Sequence, residues 1–565
     1  MSNIKYAIGI DISTQAISGM LLGIRETAGM PSEPIIPEAW TSSIPYPDEK
    51  ARKSPAKWIE LIIECTAQLR KIAAETELAE AIGVSTIFPG IFPILNDGSI
   101  DPNYVSLYDN TDDAGTCVPE LDDALGLAEQ DTLNRMWPGN MAIGLVHLVR
   151  SCGLQIDNVV MFLPPNSAFA YALLNAGGID VRPSEIVSDF TETVISGLYH
   201  SGTIEPVSRG IENLLQKVLP ELSADRLKRL LPNAVPSWRN TIPSSTIASV
   251  RTLLGLPNLK AISIGAGDSP LGALALFPDA DTIVDVRGST DSPMLMIKAP
   301  RPRITQRETV LHYPLPTAKS LADAPWCAVA PTLRSGKVWD WVRRLRFDDS
   351  DTNADRQLER LAIEALERRL TACPGSFEHS PLIFDTALGG ERAPDWNSHA
   401  TGKLIGLVET HGIGDIALAA LEGVSVRLRR CLDLMERRYN AAPSKLLLAG
   451  DPTRNALWNW ITQIYTGKKT FATMFSDASL LGAAMLGYAA SYCDTECDDR
   501  ISRRLRKLSK LVSNHELVRP IPVNPPNERL ASMERNYAVQ VKAMLAQLLF
   551  SPKPFPAKKK SPIRR

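Results

Sequence analysis

The stretch YAIGIDISTQAISGMLLGI, residues 6–24, holds two short apolar runs separated by a turn of small polar residues. Apolar runs of this length on either side of a turn predict two strands joined in a hairpin. Backbone N–H groups left unpaired by such a turn can bind the oxygens of a polyphosphate. Asp11, at the end of the first strand, is suited to a hydrated Mg²⁺, which usually takes one or two protein oxygens. A plain turn closed by Asp11, Ser13 and Thr14 explains the same residues and is the commoner outcome for this stretch alone.

The composition is that of an ordinary globular chain. It has 565 residues, 44% of them hydrophobic, and 61 basic against 63 acidic side chains give a formal net charge of -2. This length exceeds what one core needs and predicts at least two domains. The balanced charge gives no attraction to nucleic acid or to a membrane surface, so the predicted partners are small molecules. The oligomeric state stays open, with a homodimer among the options.

Cysteine usage and hydropathy predict a cytoplasmic location. The eight cysteines lack metal-ligand spacing, which favours reduced thiols, and the seven histidines form no ligand pattern. No apolar run approaches the ~18 residues of a membrane helix, and no leader segment is recognisable at the N-terminus. Residues 551–565 are rich in proline and lysine, which predicts a disordered basic tail.

Strands and helices alternate along most of the chain. An amphipathic helix is predicted over residues 54–78 and a strand over 81–88. The same kind of pattern restarts with a strand over 260–267, and after about Cys493 the chain becomes charged and helical. We infer that the chain forms two α/β halves of similar structure, although their sequences show no repeat. The predicted division is residues 1–258, 259–492 and 493–565.

A second informative stretch is AISIGAGDSPLGALAL, residues 261–276. An apolar strand runs into Gly265 and Gly267, Asp268 follows, and Pro270 is typical of a first helical position. The glycines allow another molecule to approach the backbone, and a carboxylate at the carboxyl end of a strand faces the ligand crevice of an α/β sheet. Asp268 is therefore a candidate general base for an attacking hydroxyl. A helix N-cap accounts for it equally well.

Two later turns share these features. Gly288, Ser289 and Thr290 form a hydroxyl-rich turn between two predicted strands, like the opening hairpin. A buried strand ends in Ala449, Gly450 and Asp451 before a helix begins. A nucleoside could lie across this last turn, although a plain loop is favoured unless the other turns already imply a nucleotide.

Taken together, these turns resemble those of the FGGY carbohydrate kinase family, over roughly residues 6–490. The most specific segment is GKLIGLVETHGIGDIALAALEG, residues 402–423, which is similar to the second signature of that family. Just upstream, LGGERAPDWN, residues 388–397, looks like the family's Gly-Glu-Arg-x-Pro segment, and we interpret Arg392 and its neighbours as structural. Within the family, the turns DISTQ and GSTDS look most like those of xylulokinases.

The resemblance implies an α/β fold with two RNase H-like domains of the actin and hexokinase type flanking a central cleft. It also implies ATP and Mg²⁺ as cofactors, with Asp11 at the metal and Asp268 as the catalytic base. The implied cofactor-binding residues lie in three turns: Asp11, Ser13, Thr14 and Gln15; Gly288, Ser289 and Thr290; Gly450 and Asp451.

Departures from the family pattern concern the substrate. Where xylulokinases carry polar residues that contact the sugar, this chain has Phe88 and Pro89, which cannot donate such hydrogen bonds. Tyr108, Asp109 and Asn110 occupy a segment similar to the family's sugar-contact segment. The usual third glycine of the adenosine turn is replaced by an aspartate, whose charge is expected to weaken ATP binding.

The sequence thus predicts an ATP-dependent kinase that phosphorylates a hydroxyl of a small sugar or polyol, with a ketopentose such as D-xylulose as the first candidate. The altered sugar and adenosine segments leave an alternative open. The chain could be a catalytically altered protein of the same fold that binds a ligand without kinase activity.

Overall fold

The computed structural model describes residues 3–37, 40–116, 119–243, 245–276, 279–301, 310–372, 381–473 and 475–550. The predicted disordered tail, residues 551–565, lies outside the described residues. No helix among the described residues is long and apolar enough to cross a membrane.

The first part of the chain, up to Gly267, supplies one large sheet, two small sheets and the helices that cover them. Its strands are β1 (Asn3–Ile12), β2 (Ala16–Thr27), β3 (Met30–Ile35), β4 (Thr41–Pro45), β5 (Ala79–Thr86), β6 (Gly90–Leu95), β7 (Ser106–Leu107), β8 (Val159–Leu163), β9 (Val187–Asp189), β10 (Asn233–Val235), β11 (Ala261–Ile262) and β12 (Ala266–Gly267). Its helices are α1 (Glu49–Arg52), α2 (Pro55–Ile72), α3 (Asp122–Thr132), α4 (Met141–Arg150), α5 (Pro165–Ala176), α6 (Phe190–Ile195), α7 (Arg209–Val218), α8 (Ala224–Arg229) and α9 (Ile247–Leu254).

The remainder supplies a second large sheet, one small sheet and longer helices. Its strands are β13 (Thr282–Arg287), β14 (Asp291–Ile297), β15 (Leu311–Pro314), β16 (Trp326–Val329), β17 (Ile383–Asp385), β18 (Lys403–Ile405), β19 (Lys445–Ala449), β20 (Lys469–Ala472) and β21 (Ile521–Pro522). Its helices are α10 (Asp268–Leu276), α11 (Gly336–Arg344), α12 (Ala354–Thr371), α13 (Ile413–Tyr439), α14 (Ala456–Thr466), α15 (Ala478–Ala490), α16 (Asp498–Ser513) and α17 (Glu528–Phe550).

The two large sheets share a local plan. In the first, the hairpin β1–β2 is antiparallel and β5 lies parallel to β1. In the second, the hairpin β13–β14 is antiparallel and β19 lies parallel to β13. Each hairpin turn therefore stands beside a parallel strand whose carboxyl end points in the same direction. This correspondence is the structural similarity between the two halves that was predicted from the alternation of strands and helices.

The change from one sheet to the other comes later than the predicted boundary after residue 258. β11 and β12 both pair with β5 and so belong to the first sheet, whereas the second sheet begins at β13. The predicted strand over 260–267 is divided at Gly265, whose φ is 89°. Periodicity shows that a strand is present, but not which distant strand it pairs with.

Two helices, α10 and α15, fill the space between the large sheets. α15 lies so close to the first sheet that a Cβ added at Gly83 would stand 1.7 Å from the carbonyl oxygen of Ala483. A Cβ at Gly482 of α15 would stand 2.1 Å from the carbonyl oxygen of Leu271 in α10. Only glycine permits these approaches, so the small residues of both elements fix the position of α15.

We therefore expect Gly83→Ala to lower the free energy of unfolding by about 3 kcal/mol, because the added methyl group forces α15 off the sheet. Thermal unfolding followed by circular dichroism measures the change. Gly126→Ala in α3 is the matched control, since a Cβ there meets nothing within 4 Å. That variant should be neutral or more stable by up to about 1 kcal/mol because alanine favours a helix. Equal melting temperatures for both variants would contradict this account of the packing.

The charged C-terminal region is helical, as predicted, and it packs on both halves. In α16, the Asp498 carboxylate accepts a hydrogen bond of 3.3 Å from the Trp238 indole. The Ser502 hydroxyl of the same helix donates to the Thr317 carbonyl oxygen at 2.7 Å. In α17, the Tyr537 hydroxyl donates to Glu422 at 2.8 Å. The helical part of the extension is therefore bonded to the rest of the fold.

Candidate active site

Asp11 and Asp268 lie at the same edge of the first sheet. Asp11 pairs with Ser85 on one side of β5, and Ala266 pairs with the same Ser85 on the other side. Adjacent strands are about 4.8 Å apart, so the backbones of β1 and β12 are separated by about 10 Å at this level. Asp268 follows β12 directly as the first residue of α10. The two carboxylates predicted from separate stretches of sequence thus face one gap.

The environment of Asp11 suits a cation. The residue is only 5% exposed, and its Oδ1 accepts no hydrogen bond from the described residues. Burial and the negative charges of Asp477 and Asp268 hold the pKa of Asp11 well above its usual value, while the Ser85 hydroxyl works in the opposite direction. A buried carboxylate oxygen without a partner is an electrostatic cost that a bound cation would remove.

Asp268 has an environment suited to a base. Its Oδ1 accepts hydrogen bonds from the Ser269 amide at 2.6 Å and from the Ser269 hydroxyl at 3.2 Å. Burial raises the pKa of Asp268 to about 6, against the effects of Ser269 and of the positive charge on Arg392. A carboxylate with a pKa nearer neutrality is a better proton acceptor than an ordinary aspartate and is still ionised at pH 7.

Asp477 is a third carboxylate at this edge, and the sequence did not single it out. It caps α15 by accepting from the Leu480 amide at 3.0 Å and from the Ser479 hydroxyl at 3.2 Å. Its charge raises the pKa of both Asp11 and Asp268. An aspartate directly before an apolar helical run does signal an N-cap. Its closeness to Asp11 depends on the packing of α15 against Gly83, which no local pattern contains.

The first hairpin turn is closed by Ser13 and contacts the predicted sugar segment through Thr14. The Ser13 hydroxyl donates to the Ala16 carbonyl oxygen at 2.9 Å, so Ser13 closes the turn. Thr14 shares a hydrogen bond of 3.2 Å with the Tyr108 hydroxyl, which joins this turn to the predicted sugar segment. The Gln15 side chain is exposed, and the backbone carbonyl oxygen of Gln15 accepts from the Tyr46 amide at 3.1 Å.

The second turn is open to a ligand. The Gly288 amide donates to the Thr290 carbonyl oxygen at 2.9 Å, while Gly288 itself is exposed. The loop before α11 lies against this turn, because the Ser335 amide donates to the Ser289 carbonyl oxygen at 2.9 Å. Lys337, in the first turn of α11, adds a cation whose charge acts on Asp109 and Arg392, and partial burial and neighbouring cations lower the pKa of Lys337. This lysine was not predicted as a site residue.

The predicted adenosine turn at Gly450 lies against the end of β13, directly before the predicted second phosphate turn. Gly450 has a φ of 103°, and a Cβ there would stand 1.9 Å from the carbonyl oxygen of Arg287, so the position requires glycine. Arg287 is fixed beneath both turns by a buried ion pair of 2.9 Å with Asp285. The Asp451 side chain is 79% exposed and lies 3.6 Å from Arg454. The predicted extra carboxylate therefore points to solvent beside the turn.

The side of the gap between Asp11 and Asp268 that is predicted to receive the sugar is apolar next to Asp268. A Cβ added at Gly267 would stand 2.4 Å from Cγ of Phe88, so the Phe88 ring lies against the backbone that precedes Asp268. Phe88 also meets Tyr313 of the second sheet edge-on, with ring centroids 6.0 Å apart. Pro89 is buried. These contacts support an apolar wall at the position where xylulokinases were expected to carry polar groups.

Arg392, which the sequence analysis interpreted as structural, lies beside Tyr108 and interacts with Asp268. Its guanidinium lies 5.1 Å from the centre of the Tyr108 ring and donates to the Tyr108 carbonyl oxygen. Its charge lowers the pKa of Asp268. Burial lowers the pKa of Arg392 itself to about 10, which leaves the group cationic at pH 7. The loop that contains Arg392 therefore places a positive charge near Asp268.

The other two residues of the predicted sugar segment differ in whether their side chains are available to a ligand. Asp109 forms an ion pair of 3.2 Å with Arg52, and although burial alone would raise its pKa, Arg52 and nearby cations lower it. The Asn110 amide donates to Ser106 at 3.2 Å and to the carbonyl oxygens of Asp112 and Pro138 at 3.3 Å. Asn110 thus shapes the loop, whereas Asp109 keeps an ionised carboxylate in the site.

Similarities to known proteins agree with this architecture. Residues 291–491 match the C-terminal domain of the FGGY family of carbohydrate kinases. The chain is 24% identical to the gluconokinase of Bacillus subtilis over 48% of its own length and 50% of the relative. It is 24% identical to the xylulose kinase of Lactococcus lactis over 40% of its length and 41% of the relative. These matches span about half the length of the curated relatives or less.

The similarity of fold extends over nearly the whole chain. The crystal structure of gluconate kinase from Lactobacillus acidophilus superimposes with a TM-score of 0.69 at 18% identity, covering 97% of this chain and 99% of that one. The fold is therefore the two-domain actin and hexokinase type found in sugar kinases. The match to the FGGY family of carbohydrate kinases itself covers residues 291–491, about a third of the chain.

Proposed function

We propose that this protein is an ATP-dependent carbohydrate kinase that transfers the γ-phosphoryl group to a hydroxyl of a small sugar or polyol. The observation that carries the proposal is the common edge shared by Asp11 and Asp268, with the hydroxyl-rich turn of the first hairpin following directly after the strand of Asp11. Phosphoryl transfer asks the protein mainly to position the reactants and neutralise charge. In this proposal the turns position the triphosphate, and Asp268 accepts the proton of the attacking hydroxyl.

The residues present suit Mg²⁺ as the metal of the nucleotide. Mg²⁺ keeps several waters and takes one or two carboxylates plus phosphate oxygens. Asp11 has a buried oxygen without a partner, and Asp477 lies next to it. Within the described residues, no group of three His, Cys, Asp or Glu side chains forms a metal cage. Asp11, with Asp477 behind it, would hold the hydrated ion, which would neutralise charge on the phosphates.

The substrate proposed first is a ketopentose such as D-xylulose. Support comes from the two turns that resemble those of xylulokinases and from similarity to the xylulose kinase of Lactococcus lactis. The similarity to gluconokinase and the apolar wall at Phe88 favour testing other acceptors as well. The proposal also includes a cytoplasmic location, and homodimer formation stays a prediction.

A coupled assay of ADP release tests the activity. The purified chain with ATP and Mg²⁺ is screened against ketopentoses, pentitols, tetritols, glycerol and gluconate. We expect one class of polyol or sugar to give turnover far above the ATP hydrolysis seen without acceptor, because closure around the substrate excludes water. Turnover that never exceeds this background with any acceptor would contradict the kinase proposal.

The alternative function is a ligand-binding protein of the same fold without kinase activity. Two residues favour this alternative: Phe88 in the apolar wall next to Asp268, and Asp451 in the predicted adenosine turn. ATP with Mg²⁺ that binds the native state must raise the melting temperature. A rise with ATP and Mg²⁺ but no turnover with any acceptor would favour this alternative over the kinase.

A further inference from the structure

Three side chains outside the proposed active site form a chain of hydrogen bonds at the surface. His147 lies in the last turn of α4, and Cys152 follows two residues after the end of the helix. The Cys152 Sγ lies 3.4 Å from Nε2 of His147. On the other side of the ring, Nδ1 of His147 lies 2.8 Å from Oδ2 of Asp112. A thiol, an imidazole and a carboxylate therefore stand in line.

Backbone hydrogen bonds fix this arrangement. The amide of Cys152 donates to the carbonyl oxygen of His147 at 3.2 Å, and the Leu154 amide donates to Leu148 at 2.9 Å. The carboxylate is held as well, because the Ala114 amide donates to Oδ1 of Asp112 at 2.8 Å. The three side chains thus meet through local geometry that does not depend on mobile surface groups.

The direction of proton sharing follows from the chemistry of the three groups. A hydrogen bond from Ser151 and the Ala114 amide hold the pKa of Asp112 below its usual value, so its carboxylate is ionised and can only accept. Nδ1 of His147 must then carry the hydrogen. In the neutral ring Nε2 is left with a lone pair, and this lone pair faces the thiol.

The resting thiol keeps its proton. Partial burial and the charge of Asp112 raise the pKa of Cys152, and the nearby Lys53 only partly offsets them. A thiol of this kind reacts when a neighbouring base removes its proton during attack. The side chains of His147 and Asp112 are 19% and 46% exposed, so a small reagent can reach the group.

We propose that Cys152 is a modification site, at which His147 acts as the base for thiol–disulfide exchange with small disulfides. The sulfur of Cys152 attacks one sulfur of the disulfide while its proton moves to Nε2 of His147. The disulfide bond of the reagent breaks, its electron pair stays on the leaving sulfur, and the leaving thiolate takes up a proton. One disulfide is consumed, one mixed disulfide forms on Cys152 and one thiol is released.

Modification would act on the sugar segment. The carbonyl oxygen of Asp112 accepts the Asn110 amide at 3.3 Å, so the loop that holds Tyr108 and Asp109 is bonded to the same residue that orients His147. A group attached to Cys152 displaces the imidazole and loosens this support. This consequence depends on the proposed kinase function, whereas the reactivity of the thiol does not.

The test uses the full chain with dipyridyl disulfide, a neutral reagent that releases thiopyridone. Peptide mass spectrometry locates each adduct over time, and Cys497, an exposed thiol, serves as the internal reference. We expect Cys152 to react at least about tenfold faster in the wild-type protein than in His147→Gln, because the glutamine cannot accept the proton. Asp112→Asn is expected to slow Cys152 as well, while the rate of Cys497 stays unchanged in both variants.

Circular dichroism confirms that each variant is folded, and the two variants remove the base and its orienting group independently. Cys152→Ser removes the adduct from this peptide only. The proposal is overturned if Cys152 reacts at the same rate, relative to Cys497, in the wild-type protein and in both folded variants. It is also overturned if no adduct forms on Cys152 while Cys497 reacts completely.

Discussion

Replacing Asp268 by asparagine is expected to lower turnover with the acceptor found in the screen by about 10²–10⁴-fold, the usual contribution of a general base. Asparagine has the same shape and can still accept from the Ser269 amide, which lies 2.6 Å from Oδ1. The fold and the nucleotide turns should therefore be intact. Measured by calorimetry, ATP and Mg²⁺ should bind the variant as tightly as the wild-type protein. An Asp268→Asn protein with undiminished turnover would show that another group takes the proton.

The pH dependence of the same reaction provides a second check. Asp268 works as a base only when deprotonated, and burial raises its pKa to about 6. In the wild-type protein kcat/KM should consequently fall as the pH drops through about 6. Ser269→Ala removes a hydroxyl that donates to Oδ1 of Asp268 at 3.2 Å, so the pKa should rise and the fall should begin at higher pH. An unchanged profile in Ser269→Ala would assign the acid limb to a different group.

Local chemistry was sufficient to predict the parts of the site that lie on single turns. The opening hairpin, the turn at Gly288 and the glycine–aspartate turn at Asp268 each combine a strand end with residues suited to a phosphate or a proton. The structure brings Asp11 and Asp268 to one edge because β1 and β12 flank the same strand. This arrangement brings together two residues more than 250 positions apart, and it could be inferred only through resemblance to a family.

Residues whose position near Asp11 and Asp268 depends on tertiary packing were not predicted from the sequence. Asp477 reads as an ordinary N-cap, and only the contact of α15 with Gly83 carries it to Asp11. Arg392 sits in a loop that the sequence made structural, and its contact with Tyr108 crosses between distant segments. The change from the first large sheet to the second comes after Gly267 rather than after residue 258 for the same reason, since strand order depends on pairing across the sheet. In each case the type of side chain is known from the sequence, whereas the distant residues that it contacts are not.

The crowding of carboxylates leads to the second large prediction, which concerns Asp11→Asn. Burial and the negative charges of Asp477 and Asp268 hold the pKa of Asp11 above its usual value, so an ionised carboxylate at this position costs the ligand-free fold free energy. An acid whose pKa is raised by folding makes the folded state bind the extra proton. The free energy of unfolding therefore increases as the pH falls from the raised pKa toward the pKa of the unfolded chain, and above the raised pKa it stays at its lower value. Neutral asparagine removes both the repulsion and this pH dependence.

Asp11→Asn should therefore raise the melting temperature of the ligand-free protein at pH 7 by a few degrees and flatten its pH dependence. The same change should lower turnover by about 10²-fold or more, because charge stabilisation by a metal is worth several kcal/mol in a transition state. It should also weaken the rise in melting temperature that Mg²⁺ adds to ATP. Asp451→Asn is the matched control, since that carboxylate is 79% exposed and its loss should leave the ligand-free melting temperature unchanged. A more stable but inactive Asp11→Asn protein would show that the buried charge is kept for the metal, whereas a less stable one would mean that Asp11 stabilises the fold through its charge.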